Sequence, residues 1–174
     1  MFTQKENKDS ILFLALLATV SPLATDMYLP AIPTIAKNWN IGTNFVSYSL
    51  ILWFVSFALC LLAFGTISDK FGRKPVLLAG LSIFVIASFL CATAMNIQQL
   101  ITWRILQGVG AAAPASMSMA ICRDIYADEK RKRVLAYISI ILSIVPITAP
   151  TLGSLFLRIA DWRFIFVTQG ILIS

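Results

Sequence analysis

The chain contains no histidine, and only 8 of its 174 residues are acidic. The absence of histidine removes the commonest proton-titrating side chain and any Ser-His-Asp set. Proton chemistry inside such a chain would therefore depend on carboxylates. Cysteine is also scarce: Cys60, Cys91 and Cys122 are isolated and form no C-x-x-C pair. This spacing favours cysteines that pack against neighbours over a disulfide or a metal site. The sequence thus gives an enzyme little support and predicts no metal and no cofactor.

Charged residues make up only 13% of the chain, whereas 59% is hydrophobic and the mean hydropathy is +0.84. These values predict a chain whose surroundings are mostly lipid. A formal charge of +6 would suggest nucleic-acid binding in a soluble protein. Here the cations lie between apolar segments, where membrane orientation and anionic lipid account for them. We therefore expect a lipid bilayer, and no nucleic acid, as the partner.

Five apolar segments are long enough to span a bilayer as helices, because a span needs roughly 20 residues. They are predicted at 10–36, 45–64, 75–95, 98–122 and 134–157. A sixth apolar run, 162–174, is too short for a complete span. The fold class is therefore predicted as an all-α membrane protein.

Cations indicate how these helices are oriented. They cluster before the first predicted helix, in 70–74 and in 123–133, which all fall on one side of the membrane. The positive-inside rule makes that side cytoplasmic. We expect residues 1–9 to be a cytoplasmic N-terminus and 10–174 to be the transmembrane unit. The segment 123–133 is expected to be the longest polar loop.

The connection between the second and third predicted helices reads G-T-I-S-D-K-F-G-R-K-P from Gly65 to Pro75. Gly65 is expected to permit close helix approach, and Gly72 a tight reversal. An ordinary positive-inside loop explains the cations Arg73 and Lys74, but not the spacing of Asp69 between the two glycines. The string resembles the loop signature of the major facilitator superfamily, which implies a transporter.

Two ionisable residues lie well inside the predicted spans: Asp26 on the first helix and Arg104 on the fourth. Such a residue costs on the order of 3 kcal/mol in hydrocarbon and usually has a function. Counted along the helices, both lie within about 10 Å of the outer boundary. We expect Arg104 to face a cavity between these helices and partly neutralise Asp26, so that protons and a cationic substrate compete for the carboxylate. A static ion pair, or an Asp26 at the headgroup boundary near Pro30, are the alternatives.

The fourth predicted helix has a stripe of small residues at every fourth position: Gly108, Ala112, Ser116 and Ala120. Such a stripe favours close packing of membrane helices. The segment from Arg104 to Ala112 resembles the superfamily's R-x-x-Q-G-x-G-A-A signature. That resemblance implies a role in proton coupling for Arg104, and Gln107 is expected to be a polar contact in the cavity.

The fifth predicted helix contains Pro146, Pro150 and Gly153, which resemble an antiporter signature, broadly G-P-x-x-G-G. Ala149 and Ser154 stand where that signature has glycines. Proline removes a helix hydrogen bond and glycine permits a close crossing. The segment is therefore expected to act as a pivot or to seal against a neighbouring helix.

Three further strings resemble the bicyclomycin-resistance-like (Bcr/CflA) drug efflux family. They are T-D-M-Y-L-P-A-I-P at 25–33, R-D-I-Y at 123–126 and D-W-R-F-I-F at 161–166. The resemblance implies an inner-membrane exporter that exchanges drugs or small metabolites for protons, with the proton gradient as its energy source. It adds Tyr28 to the proton and substrate coupling residues, and Arg123 and Asp124 to the conformational loop motif.

Family members have twelve helices in two halves, so this chain is expected to be an N-terminal six-helix bundle with a truncated sixth helix. Asp69 would meet a helix end in the other half. The partner would be a missing C-terminal half or a second copy, and a truncated gene, a split gene or an incomplete record all fit. The alternative function is a non-transporting membrane remnant or an assembly module. A simple ion channel would leave the loop signature without a purpose.

Overall fold

The computed structural model describes residues 8–174, which form helices joined by short connections. Helix α1 (Lys8–Asp26) is followed by a 3₁₀ turn (Leu29–Ala31) and the short helix α2 (Ile32–Asn38), and these correspond to the first predicted helix. The second to sixth predicted helices are α3 (Thr43–Phe71), α4 (Arg73–Ala92), α5 (Ile97–Ile125), α6 (Asp128–Ile159) and α7 (Arg163–Ile173). Residues 1–7 of the expected cytoplasmic N-terminus lie outside the described residues.

The predicted pattern of five long spans and one short apolar helix is confirmed within the part of the chain that the structure describes. The segment Ser10–Asn38 and helices α3, α4, α5 and α6 are long and apolar enough to cross a membrane. Helix α7 is apolar but has only 11 residues.

The predicted polar loop at 123–133 is wrong, because only Tyr126 and Ala127 separate α5 from α6. Its Lys, Arg and Glu residues are good helix formers. A prediction based on hydropathy alone places a helix end at such residues because they are polar. Asp128 and Glu129 also occupy the first turn of α6, where negative charge stabilises a helix. Charged ends therefore extend the helix beyond its apolar part.

The prediction of one continuous helix over 10–36 is also wrong, since α1 ends at Asp26. Pro30 and Pro33 have no backbone N–H, so neither can continue the helical ladder. The chain takes up the 3₁₀ turn and resumes as α2 at Ile32. The segment from the last residue of α1 to the end of the 3₁₀ turn, residues 26–31, is called the helix-1 break below, and it contains Asp26 and Tyr28.

Helix α5 lies at the centre of the bundle and packs against α1, α3 and α4, while α6 packs on α1 and α7 on α4. The predicted small-residue packing is confirmed at Gly108, where a Cβ atom would lie 2.5 Å from the Trp53 carbonyl oxygen. The predicted close approach at Gly65 is wrong. A Cβ atom there would lie 3.8 Å from Ser116 Oγ, an ordinary van der Waals distance.

Candidate functional site

The guanidinium of Arg104 is fully buried in the middle of the bundle. Its Nη1 donates to Gln107 Oε1 at 2.7 Å and to the Ala24 carbonyl oxygen at 3.3 Å. The Arg104 Cζ atom lies 4.1 Å from the ring centroid of Tyr28 and 5.5 Å from that of Phe166. Aromatic faces attract a desolvated cation. Two acceptors and the surrounding rings therefore stabilise this buried charge.

The structure does not bring Asp26 and Arg104 together. Among the described residues, no carboxylate forms an ion pair with Arg104. Asp26 is half-buried and accepts a hydrogen bond from Thr25 Oγ1 at 3.4 Å. Arg104 instead donates to the backbone carbonyl oxygen of Ala24. The expected neutralisation of Asp26 by Arg104, and the static ion pair, are both wrong for this conformation.

A buried polar network surrounds Arg104, and Gln107 is its centre. Gln107 Nε2 donates to Ser88 Oγ at 2.8 Å and to Gln169 Oε1 at 3.1 Å. Gln169 Nε2 in turn lies 3.4 Å from the Ala24 carbonyl oxygen. This network (Ala24, Ser88, Arg104, Gln107 and Gln169) joins α1, α4, α5 and α7. Arg104 and Gln107 are enclosed in the bundle, so the expectation that they face an open cavity is wrong.

Tyr28 links the helix-1 break to α3. Its hydroxyl lies 2.7 Å from Ser49 Oγ, and Ser49 Oγ donates to the Val46 carbonyl oxygen at 2.6 Å. Because a serine has a single hydroxyl hydrogen, Tyr28 is the donor to Ser49. Tyr28 therefore has a partner at both ends, its ring facing Arg104 and its hydroxyl facing α3.

Arg104 also retains donors that the network does not use. In the part of the chain that the structure describes, its Nε and Nη2 have no hydrogen-bond partner, and neither does Trp53 Nε1. The Arg104 Cζ atom is 5.8 Å from the Trp53 ring centroid. Buried donors without acceptors are costly. The site is thus rich in donors and short of acceptors.

The loop motif is an ion cluster at the other end of α5. Arg73 Nη1 lies 2.7 Å from Asp69 Oδ1, and Arg73 Nε lies 3.0 Å from Asp124 Oδ2. Gly72, with φ of 89°, provides the expected reversal between α3 and α4. Asp69 therefore has an ion partner within this bundle, and the cluster ties together three helix ends. Lys74 and Arg123 are exposed.

The motif on α6 contacts the helix-1 break. A Cβ atom on Gly153 would overlap the Met27 carbonyl oxygen and lie 3.0 Å from Pro30 Cγ. The predicted close crossing at Gly153 is therefore confirmed, with helix 1 as the neighbour. Pro146 and Pro150 lie inside a continuous α6. A pivoting role for them stays a prediction.

Sequence reasoning missed Trp53, Ser88, Phe166 and Gln169. Only Gln169 carried a usable signal, because an amide within an apolar membrane run generally needs a partner on another helix. The other three are ordinary residues for a membrane helix, and only the three-dimensional packing brings them to Arg104.

The model of the Major Facilitator Superfamily matches residues 14–173 of this chain. The chain belongs to the Major Facilitator Superfamily. It is 36% identical over 153 residues to the multidrug resistance protein MdtL of Citrobacter koseri. That match covers 88% of this chain and 39% of MdtL. It is 35% identical over 166 residues to the uncharacterised MFS-type transporter YdgK of Bacillus subtilis, covering 94% of this chain and 41% of that protein.

The fold agrees with this membership. A bacterial homologue of the human lysosomal transporter Spinster, in an inward-facing and occupied conformation, matches with a TM-score of 0.78 at 18% identity. The match covers 94% of this chain and 42% of that structure. The predicted superfamily and fold class are confirmed, and the family consists of transporters and not of enzymes. The chain spans about two fifths of the length of the relatives that it matches.

Proposed function

We propose that this chain is the N-terminal half of a proton-coupled exporter of drugs or small metabolites in a bacterial inner membrane, with its N-terminus in the cytoplasm. The observation that carries the proposal is the half-buried carboxylate of Asp26 within the helix-1 break. The similarity to a multidrug resistance protein over 88% of the chain supports an efflux role. Broken membrane helices are typical of transporter binding sites.

Asp26 is the group best suited to bind either a proton or a substrate cation. A half-buried carboxylate is costly when ionised, and binding a proton or a lipophilic cation removes that cost. The buried charge of Arg104 contacts helix 1 through the Ala24 carbonyl, two residues before Asp26. Among the described residues no cation forms an ion pair with Asp26, so its carboxylate is free to bind a proton or a substrate cation. Coupling would follow from competition for the same oxygen atoms.

Alternating access requires a second six-helix half, because transporters of this family rock two bundles around a central site. The second half would be a further part of the same chain, a separately encoded half or a second copy of this chain. Gly153 supports a role in this movement, since α6 contacts the helix-1 break through it.

The test is export of a fluorescent lipophilic cation from cells that lack their own pumps. The chain would be expressed alone and together with a complementary six-helix half, after membrane insertion has been verified. Each set would include Asp26→Asn and the control Asp128→Asn, whose carboxylate pairs with Arg131 on the exposed start of α6.

We expect export that needs the proton gradient, that is lost in Asp26→Asn and that persists in Asp128→Asn. Gradient-dependent export that is equally fast in Asp26→Asn would contradict the assignment of Asp26. Absence of export in every combination, despite correct insertion, would favour a non-transporting assembly module.

A further inference from the structure

The carbonyl of Ala24 does not take part in the hydrogen bonding of helix 1. In an α-helix it would accept from the N–H of Tyr28, four residues later. The Tyr28 N–H donates instead to the Thr25 carbonyl oxygen at 3.1 Å, and the Met27 N–H to the Leu23 carbonyl oxygen at 3.3 Å. Among the described residues, the donors to Ala24 are two side chains, Arg104 at 3.3 Å and Gln169 at 3.4 Å.

The prolines of the helix-1 break do not explain this change. A proline disturbs the carbonyl four residues before it, so Pro30 affects Asp26 and Pro33 affects Leu29. The carbonyl of Ala24 lies before both of these positions. A buried carbonyl must have a donor, and here side chains from α5 and α7 supply it. The position at which α1 ends therefore depends on other helices as well as on its own sequence.

Gln169 is used at both ends of its amide group and is only 3% exposed. Its Oε1 accepts from Gln107 Nε2, while its Nε2 donates to Ala24. Ser88 accepts from the same Gln107 nitrogen. With both hydrogens of that nitrogen directed away from Arg104, the Gln107 oxygen is left to accept from the guanidinium. Gln169 thus fixes the orientation of the Gln107 amide as well as the Ala24 carbonyl.

We propose that Gln169 is a positioning residue for the coupling site: together with Arg104, it holds the Ala24 carbonyl out of the helix and so maintains the break that carries Asp26 and Tyr28. Without these donors the Ala24 carbonyl would be buried and unsatisfied, so the break would lose part of its support and its backbone would open more readily. In this way α7 would control the geometry of the coupling site at the end of α1. Only the consequence for transport rests on the proposed function.

The structural part is tested by hydrogen exchange of the purified full chain in lipid nanodiscs, followed by mass spectrometry of a peptide that covers residues 27–31. Gln169→Met keeps the length of the side chain and removes its polar atoms. Thr168→Val is the control, because Thr168 Oγ1 donates to carbonyl oxygens of its own helix, at Phe164 and Ile165. We expect about fivefold faster exchange in Gln169→Met, the factor for losing one ordinary hydrogen bond. Thr168→Val should leave the rate unchanged.

Two further measurements separate positioning from general destabilisation. In Gln169→Met, exchange in the middle of α3 should stay within about twofold of the native rate. A substitution at an independent site is expected to change local stability there by no more than a few tenths of a kcal/mol, which is about twofold in rate. Gln107→Met should combine with Gln169→Met less than additively, because the two residues share one network. An unchanged rate at 27–31, an equal rise in α3, or full additivity would each overturn the proposal.

The consequence for transport is measured in the assembled exporter. Gln169→Met should lower the maximal efflux rate about fivefold, again by one hydrogen bond, and leave the half-saturating substrate concentration unchanged, since no substrate contact is lost. A change confined to half-saturation would overturn the positioning role. If no variant transports at all, the proposed function fails, whereas the exchange rates still decide whether Gln169 holds the break.

Discussion

Arg104 is the residue on which the interior of this bundle depends. Its charge is accommodated without a carboxylate among the described residues, by the Ala24 carbonyl, the Gln107 amide and three aromatic rings. Rings and neutral acceptors balance a charge without adding a second buried charge, which would itself need desolvation. The charge of Arg104 is therefore stabilised by neutral groups inside the bundle and not by Asp26.

A lysine should not replace this arginine. Lys keeps the positive charge but loses the planar group that stacks on Tyr28 and bonds two acceptors. Arg104→Lys should destabilise the protein by about 2 kcal/mol, the usual loss for disturbing a buried charge and its partners. Thermal unfolding in detergent measures this, with the exposed Arg123→Lys as the control. Equal midpoints for the two variants would contradict the account of the Arg104 site.

The glycines of the bundle differ in the space around them, and alanine can measure the difference. Gly108→Ala places a methyl group against Trp53 and Ser56, so we expect a loss of about 1–3 kcal/mol from overpacking. Gly65→Ala meets only Ser116 at van der Waals distance and should be neutral or slightly stabilising, because alanine favours helix. Unfolding midpoints in the reverse order would refute the packing described here.

Single residues were only partly predictable from the sequence. Asp26 and Arg104 were recognisable because ionisable residues are rare in apolar spans. Their relative placement was not, since depth along a helix says nothing about the direction in which a side chain points. The pairing of Gln107 with Gln169 depends on the rotation of α5 and α7 about their axes, and only packing determines that rotation.

At the scale of helices and turns, hydropathy predicted which segments are helical but not where they end. Apolar length identifies the part inside the membrane, whereas helix-forming charged residues continue α6 back to Asp128. The helix-1 break was indicated by Pro30 and Pro33, but the sequence did not show that the Ala24 carbonyl near its start bonds to side chains of α5 and α7. Local signals thus miss the helix ends that tertiary contacts determine.

The loop motif connects three helix ends, and its strength depends on Arg73. Arg73 bonds to Asp69 and Asp124, both of which are substantially exposed. A double-mutant cycle with Arg73→Gln and Asp124→Asn should give a coupling of about 0.2–1 kcal/mol, as is usual for exposed pairs. It should shrink at high salt, because exposed charges are screened.

The matched cycle uses Arg73→Gln with Asp128→Asn, since Asp128 pairs with Arg131 and not with Arg73. Its coupling should be close to zero. Chemical unfolding in mixed micelles provides the four free energies of each cycle. A coupling between Arg73 and Asp124 that is absent, or that does not change with salt, would show that the cluster does not join α4 to α5.

At the scale of the whole molecule, the chain forms a six-helix bundle organised around α5, with distinct polar groups at its two ends. The Arg104 network and the helix-1 break lie together, and the Arg73 cluster joins the opposite ends of α3 and α5. Motif resemblance predicted this bundle, and the match to the superfamily confirms it. The relatives are more than twice as long as the matched region, so they contain a further part. The structure of that part cannot be predicted from this sequence.

The most direct measurement is proton movement in liposomes that contain the chain assembled with a complementary six-helix half. A pH-sensitive dye would be followed after addition of a lipophilic cation, for the native chain and for Asp26→Asn. Our account predicts substrate-driven proton release from the native protein and none from Asp26→Asn. Substrate movement without any proton signal, or an undiminished signal in Asp26→Asn, would contradict it.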